Sequence, residues 1–356
     1  MSRIRLDHLV KRYGGVSAVS GLALNCNHGE LVALVGPPGA GKTTTLKLIS
    51  GIEQVSGGRI FLDDDDVTEL PPERRDIAMA FESYALYPHL TVRGNLEFPL
   101  RAPGRNMAAP ERSKRIQRVA ELLEIGHLLD RRPGQLSGGQ RQRVSLGRAL
   151  VRRGKAALLD EPIAHLDARL RHDLRGELKR YLRENSITTV YATPDFAEAA
   201  AIADRIAVII KGELRQYASP QEVFEAPADT EVALLAGDPK INLFEVNAGP
   251  NASGVEASDA RHIQIPTLPG QVSRVGVRPS QIKLLSHPEP GALPGSIYVT
   301  EPIGYDQVVR VDTGSQIVSL VLPAEGQECK IGQQMWMLPD WNRSLWFDGA
   351  GKRIDR

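Results

Sequence analysis

The sequence predicts an α/β P-loop core with an inserted helical subdomain, followed by a small all-β domain. Three observations carry this. The apolar run Leu31 to Val35 leads into Gly36-Pro37-Pro38-Gly39-Ala40-Gly41-Lys42-Thr43, and a helix-like segment follows through Thr45, Leu46 and Ile49. A second buried run, Ala156 to Leu159, ends in Asp160-Glu161. After about residue 235, short β-like runs separated by Gly- and Pro-rich turns replace the alternation of strand and helix. The expected domains are 1–235 and 236–356, with the helical insertion over about 91–150.

Strand, glycine-rich turn and helix form the setting in which backbone N–H groups surround a phosphate. The candidate cradle is Gly36, Pro37, Pro38, Gly39, Ala40, Gly41, Lys42, Thr43 and Thr44. Lys42 reaches the same phosphate, and the Thr43 hydroxyl is a candidate magnesium ligand. The two prolines donate nothing but stiffen the entry to the turn. Asp160 at its strand end suits magnesium, held directly or through water, while Glu161 is placed to polarise the attacking water.

Ahead of the P-loop, Ile4, Leu6 and Leu9 alternate loosely, as in an antiparallel edge strand. Tyr13 at the following turn either covers a sheet edge or stacks on an adenine. Beyond the P-loop helix, which Gly51 ends, a short strand is expected over Arg59 to Leu62. The acidic run Asp63 to Asp66 reads as a solvated loop. Another strand, Ile77 to Phe81, leads into Glu82-Ser83-Tyr84-Ala85-Leu86-Tyr87-Pro88-His89. In the insertion, Arg112 to Glu124 aligns Ile116, Val119 and Leu123 on one helical face. Leu136-Ser137-Gly138-Gly139-Gln140 then opens an Arg-rich helix, Arg141 to Arg153, and taken alone is either a capped helix start or an anion site. A helix over Leu170 to Glu184, a strand over Thr188 to Ala192 ending at Thr193-Pro194-Asp195, and a hairpin around Lys211-Gly212 complete the core. In the second half, strands are expected over Ile263–Ile265, Val275–Val277, Ile297–Thr300, Val308–Val311 and Ile317–Leu322, as in a small β-barrel. Trp336, Trp341 and Trp346 read as core or interface residues.

Composition narrows the class. In 356 residues, 44 Lys and Arg nearly balance 43 Asp and Glu, so no strong field favours nucleic acid. Cys26 and Cys329 match no metal or redox spacing and suggest a reducing compartment. The start Met1 to Arg5 lacks a following apolar run of signal length, and no segment approaches the length of a membrane span, so a soluble, cytoplasmic chain that docks on a membrane complex is expected.

Together these residues resemble the ATP-binding subunit of an ATP-binding cassette (ABC) importer, in the carbohydrate and polyol branch whose ATPases carry a C-terminal regulatory β-barrel of OB type. The resemblance spans essentially the whole chain. Its most specific mark is Leu136 to Gln140 lying between the P-loop and Asp160-Glu161. Tyr84 to His89, Gly276-Val277-Arg278-Pro279 and Glu301-Pro302-Ile303-Gly304 add to it. It implies ATP and Mg2+, with Glu161 and Lys42 catalytic and Thr43, Glu82 and Asp160 at the metal. It further implies a head-to-tail dimer: each site takes Tyr13 and the P-loop from one chain, and Ser137, Gly138, Gly139 and Gln140 from the other. Ala164-His165-Leu166-Asp167 occupies the position of the loop that connects the two sites. Residues 82–90 with the helical subdomain would receive a coupling helix of two transmembrane permease subunits at the cytoplasmic face of the membrane, with an external solute-binding protein as an indirect partner and no nucleic acid.

Two departures from that pattern stand out. Glu82 replaces the usual Gln, and Pro194 replaces a histidine that contacts the γ-phosphate. Proline has no side-chain donor. The site on this chain's own P-loop is therefore expected to be slow or non-hydrolysing, within a heterodimer with a second ATPase chain. A homodimer, or an ATP-binding regulatory subunit that hardly turns over, is the alternative. The expected solute is a sugar, polyol or glycerol-type compound, with a polyamine, sulfate or iron importer as runner-up.

Overall fold

The fold is that of a computed structural model describing residues 2–102, 107–249, 252–257, 261–264, 271–325 and 329–355. The chain divides into two compact units, Met1–Pro220 and Gln221–Arg356.

The first unit begins with strands β1 (Ile4–Tyr13) and β2 (Val16–Cys26), then β3 (Leu31–Val35) and helix α1 (Lys42–Ser50). A hairpin, β4 (Gly57–Leu62) and β5 (Asp65–Asp66), is followed by the single turn α2 (Pro72–Arg75) and by β6 (Ile77–Ala80). The helical insertion contains α3 (Val92–Glu97), α4 (Ala109–Leu122) and α5 (Gly138–Arg152). The chain then alternates through β7 (Ala156–Asp160), α6 (Ala168–Glu184), β8 (Thr189–Thr193), α7 (Phe196–Ile202) and the hairpin of β9 (Arg205–Ile210) and β10 (Glu213–Ala218).

Two sheets result. The larger runs β10-β9-β3-β8-β7-β6, with β9, β3, β8, β7 and β6 parallel. All five residues of β3, β7 and β8 are buried, as strands covered on both faces must be, which is why they read as unbroken apolar runs. The smaller, antiparallel sheet runs β2-β1-β4-β5. Here β1 lies between β2 and β4, correcting the expected edge strand. Its loose alternation comes from irregular register against β2 between Leu6 and Val10. β2 was passed over because its largely exposed half up to Gly21 breaks the period of two that Leu22, Leu24 and Cys26 keep. The acidic run expected as a solvated loop is loop only at Asp63-Asp64, the tight turn of the hairpin; Asp65 and Asp66 are exposed but pair with Leu62 and Phe61 as β5, and Asp66 accepts from the Thr68 N–H at 3.0 Å.

Leu46, Leu48 and Ile49 of α1 share one core with Leu6, Leu22 and Ile60 of the small sheet and Leu34, Leu158 and Val190 of the large one. The carboxyl end of α1 is closed by Gly51 at φ 81° and by a buried guanidinium. Arg75 donates to Leu48 O (2.8 Å), Ile49 O (3.0 Å), Leu70 O (2.8 Å) and Thr68 O (2.8 Å), so one side chain satisfies carbonyls that the helix end leaves open.

The division between the units falls in the first turn of α8 (Pro220–Glu225). The second unit continues with α9 (Thr230–Leu235), then strands β11 (Asn242–Gly249), β12 (Ala252–Ala257), β13 (Arg261–Gln264), β14 (Arg274–Val277) and β15 (Ile282–Leu285). It ends with β16 (Leu293–Ile303), β17 (Asp306–Asp312), β18 (Ile317–Pro323), β19 (Gln334–Pro339), β20 (Leu345–Phe347) and β21 (Arg353–Ile354). Two antiparallel sheets, β13-β12-β11-β14-β20-β21 and β15-β19-β16-β17-β18, enclose a core shared by Phe244, Val275, Val277, Ile297, Val309 and Met337, consistent with an OB-like domain. Of the expected strands, Ile263 falls in β13, whereas Ile265 lies outside the described residues. Trp341 meets Phe244 edge-on at 5.7 Å and, with Trp346, packs against that core. Buried Arg278 ties the helices to the sheets by donating to Phe224 O (2.6 Å), Ala233 O (3.2 Å) and Ala236 O.

Replacing Arg75 with Leu removes the side-chain donor from Ile49 O, Thr68 O and Leu70 O and leaves Leu48 O only the Gly51 N–H, so a loss of about 2–4 kcal/mol is expected in the first unit. Thermal unfolding followed by circular dichroism would read this as a midpoint lowered by roughly 5–15 °C. An unchanged midpoint would mean that solvent reaches those carbonyls.

Candidate functional site

Parallel register brings the functional loops together. Val35 lies opposite Thr193, Asp160 opposite Ala192, and Ala80 opposite Leu159. The segments that leave the carboxyl ends of these four strands therefore emerge side by side: Gly36 to Thr43, Asp160-Glu161, Thr193-Pro194 and Phe81-Glu82. This is the edge of an open α/β sheet where ligands bind.

The P-loop is a close backbone fit. A Cβ on Gly36 would lie 2.0 Å from Ile209 O, and one on Gly41 would lie 2.4 Å from Ala18 O. Gly41 also holds φ 102°, which side-chain-bearing residues rarely adopt. Lys42 is only 5% exposed, and its ammonium donates to Gly36 O (2.8 Å) and Pro37 O (3.1 Å). Burial lowers its pKa, and the nearby carboxylates of Glu161, Asp160 and Glu82 act against that. The Thr43 hydroxyl donates to Asp160 Oδ1 at 3.1 Å. Asp160 is 2% exposed, and its pKa is pushed up to about 6, first by burial and then by the charges of Glu161 and Glu82, against the Thr43 bond and Lys42.

Thus Lys42, Thr43 and Asp160 are in contact or near it, and Glu161 and Glu82 face the same ammonium. Glu161 sits at φ 45°, a left-handed conformation in a non-glycine residue, with its N–H donating to Ala192 O at 3.0 Å. Thr44 occupies the first turn of α1. Pro194 is exposed on a stiff turn: the Asp195 N–H donates to Thr193 Oγ1 (3.1 Å), and Asp195 caps α7 through the Glu198 N–H (3.0 Å). Tyr13 ends β1, 44% exposed, with the Lys11 ammonium 4.8 Å over its ring.

The segment Leu136 to Gln140 belongs to a different neighbourhood. Ser137 caps α5 reciprocally: its hydroxyl accepts from the Gln140 N–H (3.3 Å), and Gln140 Oε1 accepts from the Ser137 N–H (2.9 Å). A Cβ on Gly139 would touch Leu166 and His165 O, and one on Gly138 would approach Tyr84 Oη. Nearby, Tyr84 Oη and His165 Nδ1 lie 3.1 Å apart, with their rings edge-on. Arg148 of α5 donates to Ala85 O at 2.6 Å and stacks over Tyr87. Tyr84 and Ala85, at φ 64° and 45°, form a left-handed kink that this guanidinium braces. Asn95 of α3, wholly buried, holds Tyr87 by accepting from its N–H (2.9 Å) and donating to its carbonyl (3.1 Å). A groove of about 850 Å3 opens beside this loop, lined by Ile52, Met79, Phe81, Tyr87, Phe98 and Arg148 among others.

Sequence reasoning passed over Arg148, Asn95 and Gln142. Gln142, 2% exposed, donates to Glu161 O (2.8 Å) and accepts from the His165 N–H (2.9 Å). The available signal was a polar residue sharing the buried face of α5 with Leu146 and Ala149.

A phosphate-sized cradle between a buried lysine and a strand-end aspartate, at the carboxyl edge of a parallel sheet, defines a P-loop nucleotide-binding protein. The comparisons narrow this. The ABC transporter family matches residues 19–164. An sn-glycerol-3-phosphate import ATP-binding protein of Agrobacterium fabrum is 41% identical over 99% of this chain and 100% of its own length. A sulfoquinovosyl glycerol transport ATP-binding protein of the same organism is 39% identical over 93% and 95% of the two chains. The trehalose/maltose import ATP-binding protein of Thermococcus litoralis is 47% identical over 69% and 67%. Among solved structures, a bacterial ABC transporter cassette solved as a dimer superposes with a TM-score of 0.57 at 31% identity, covering 61% of this chain and 98% of that one. The chain belongs to the ATP-binding proteins of ABC transporters. It binds and hydrolyses ATP.

The close fit around Gly41 makes a direct expectation. Gly41→Ala must either move Ala18 or distort the turn, and ATP affinity should fall by about 100-fold or more. Titration with a fluorescent ATP analogue measures it; affinity within about twofold of the wild type would show that the turn relaxes freely.

Proposed function

We propose that this chain energises import of a sugar, polyol or glycerol-phosphate-type solute. Its full-length similarity to a glycerol-3-phosphate import ATP-binding protein is the observation that carries this reading. The nucleotide's phosphates would lie in the turn Gly36 to Thr44, against Lys42, with the adenine over Tyr13. Magnesium fits the oxygen pair of Thr43 and Asp160, which are already 3.1 Å apart. Bound there, the ion would supply charge neutralisation on the phosphates. Glu82 would lie near it, adding negative charge that Lys42 opposes. Glu161 is the group to hold the attacking water and receive its proton.

Ser137 to Gln140 sit among Tyr84, His165 and Leu166, which supports their serving a nucleotide held by a second ATPase chain in a head-to-tail dimer. The groove beside residues 82–90, walled by Phe81, Tyr87 and Phe98, is the proposed seat of a permease coupling helix. No helix among the described residues is long and apolar enough to cross a membrane, so attachment at the cytoplasmic face would come through the permeases. An external solute-binding protein would deliver the solute to them.

Pro194 favours a heterodimer in which this chain's own P-loop site is slow. A lost transition-state contact can cost about 10²–10³ in rate. Pro194→His should accordingly raise steady-state ATP turnover of the purified chain by about tenfold or more, with nucleotide affinity little changed. In the assembled complex, Glu161→Gln in this chain should leave most of the activity, because the chemistry lies on the partner's P-loop. Ordinary turnover by the isolated chain, abolished by Glu161→Gln, would instead establish a competent homodimer. A complex that binds ATP but shows no turnover beyond background would favour a regulatory subunit.

Asp160 adds a pH dependence. Its native pKa of about 6 lies above the unfolded carboxyl value, so the unliganded fold is stabilised by protonation toward acid, and that contribution is lost as pH rises through 6. Metal binding has the opposite sign, because the carboxyl must be ionised. Affinity for magnesium nucleotide should rise roughly tenfold between pH 5 and 7 and then level off. A flat profile over that range would show that Asp160 does not ligate the ion.

A further inference from the structure

We propose that Gln142 is a positioning residue for Glu161, fixing its carboxylate from the helix that the Ser137–Gln140 loop opens; this rests on Glu161 acting as the catalytic carboxylate. Glu161 is held in a left-handed backbone conformation at φ 45°, which is costly for a residue with a Cβ and persists only where neighbours over-determine it. Two bonds do so. From the sheet side, the Glu161 N–H donates to Ala192 O at 3.0 Å. From the helical side, Gln142 Nε2 donates to Glu161 O at 2.8 Å.

The amide is used at both ends. Its Oε1 accepts from the His165 N–H at 2.9 Å, so one side chain spans the loop from Glu161 to His165. Gln142 itself is only 2% exposed, so its amide has no water to fall back on if either bond is lost. Gly139, three residues earlier on α5, leaves room for the helix to close on His165 O and Leu166. The first turns of α5 therefore rest directly on the loop that carries Glu161. A displacement of the Ser137–Gln140 end is transmitted to Glu161 through this amide. A carboxylate moved by about 1 Å can lose about 10²-fold in rate without any loss of nucleotide binding.

The test uses the full chain with Gln142→Met, which removes both bonds at similar volume, and Gln142→Glu, which keeps the acceptor for the His165 N–H but has no amide donor for Glu161 O. Each is also made in the Pro194→His chain, so that slow wild-type turnover does not hide the effect. ATP turnover should fall about 10- to 100-fold in both variants, while ATP affinity stays within about twofold. Turnover that stays at the parent level in Gln142→Met overturns the inference. So does a loss of affinity in step with turnover, because Gln142 would then be merely structural. Glu161→Gln separates the two readings: if it stays active, Glu161 is not the catalytic carboxylate and both readings fall. If it is inactive while the Gln142 variants keep their turnover, only the positioning role is wrong.

Discussion

An almost fully buried ammonium sets the terms for the first unit. Lys42 at 5% exposure loses most of its hydration, and its surroundings have to replace that loss. Gly36 O and Pro37 O do so at short range, and the charges of Glu161, Asp160 and Glu82 at longer range. Both requirements constrain the backbone. The P-loop can turn two carbonyls onto Lys42 only if its glycines pass against Ile209 O and Ala18 O with no Cβ between. The carboxylates can face the ammonium only if β7 and β8 keep their register with β3 and β6.

That register makes the rest of the site follow. In a parallel sheet a one-residue slip would turn every side chain to the other face, and strands buried on both sides have little freedom to slip once α1 is packed. Acids at the strand ends are thereby concentrated where they raise the Asp160 pKa. A cation entering there would relieve the same crowding, in keeping with the proposed magnesium nucleotide.

The helical insertion contributes a second kind of order. α5 presents Ser137 to Gln140 at one end, Gln142 to the Glu161 loop one turn later, and Arg148 to the kink at Tyr84 and Ala85. One rigid element thus carries the loop proposed to serve another chain and touches both the loop of the proposed catalytic carboxylate and the loop beside the groove. Coupling between nucleotide and permease needs contiguous packed contacts of this sort, with discrete alternative positions for the helix.

Much of this was legible in the sequence because it depends on local chemistry. The glycine pattern before Lys42, the apolar runs that end in Asp160 and Thr193, the 3.6-residue face of Ile116, Val119 and Leu123, and the serine cap at 137 all announce themselves within a few residues. Strand β1 was legible from Ile4, Leu6 and Leu9, but its partner β2 was not, because its largely exposed half up to Gly21 lacks a clean period of two. Nor were Gln142, Arg75 or Arg278. Each is a polar side chain whose partners are backbone carbonyls or N–H groups distant in sequence, and backbone groups carry no residue identity to read. The sequence by itself determined which chemical groups the site contains and which strand ends bear them. Only the tertiary structure decided how those groups are aimed, because burial and strand register, not residue type, set the pKa of Asp160 and the left-handed backbone of Glu161.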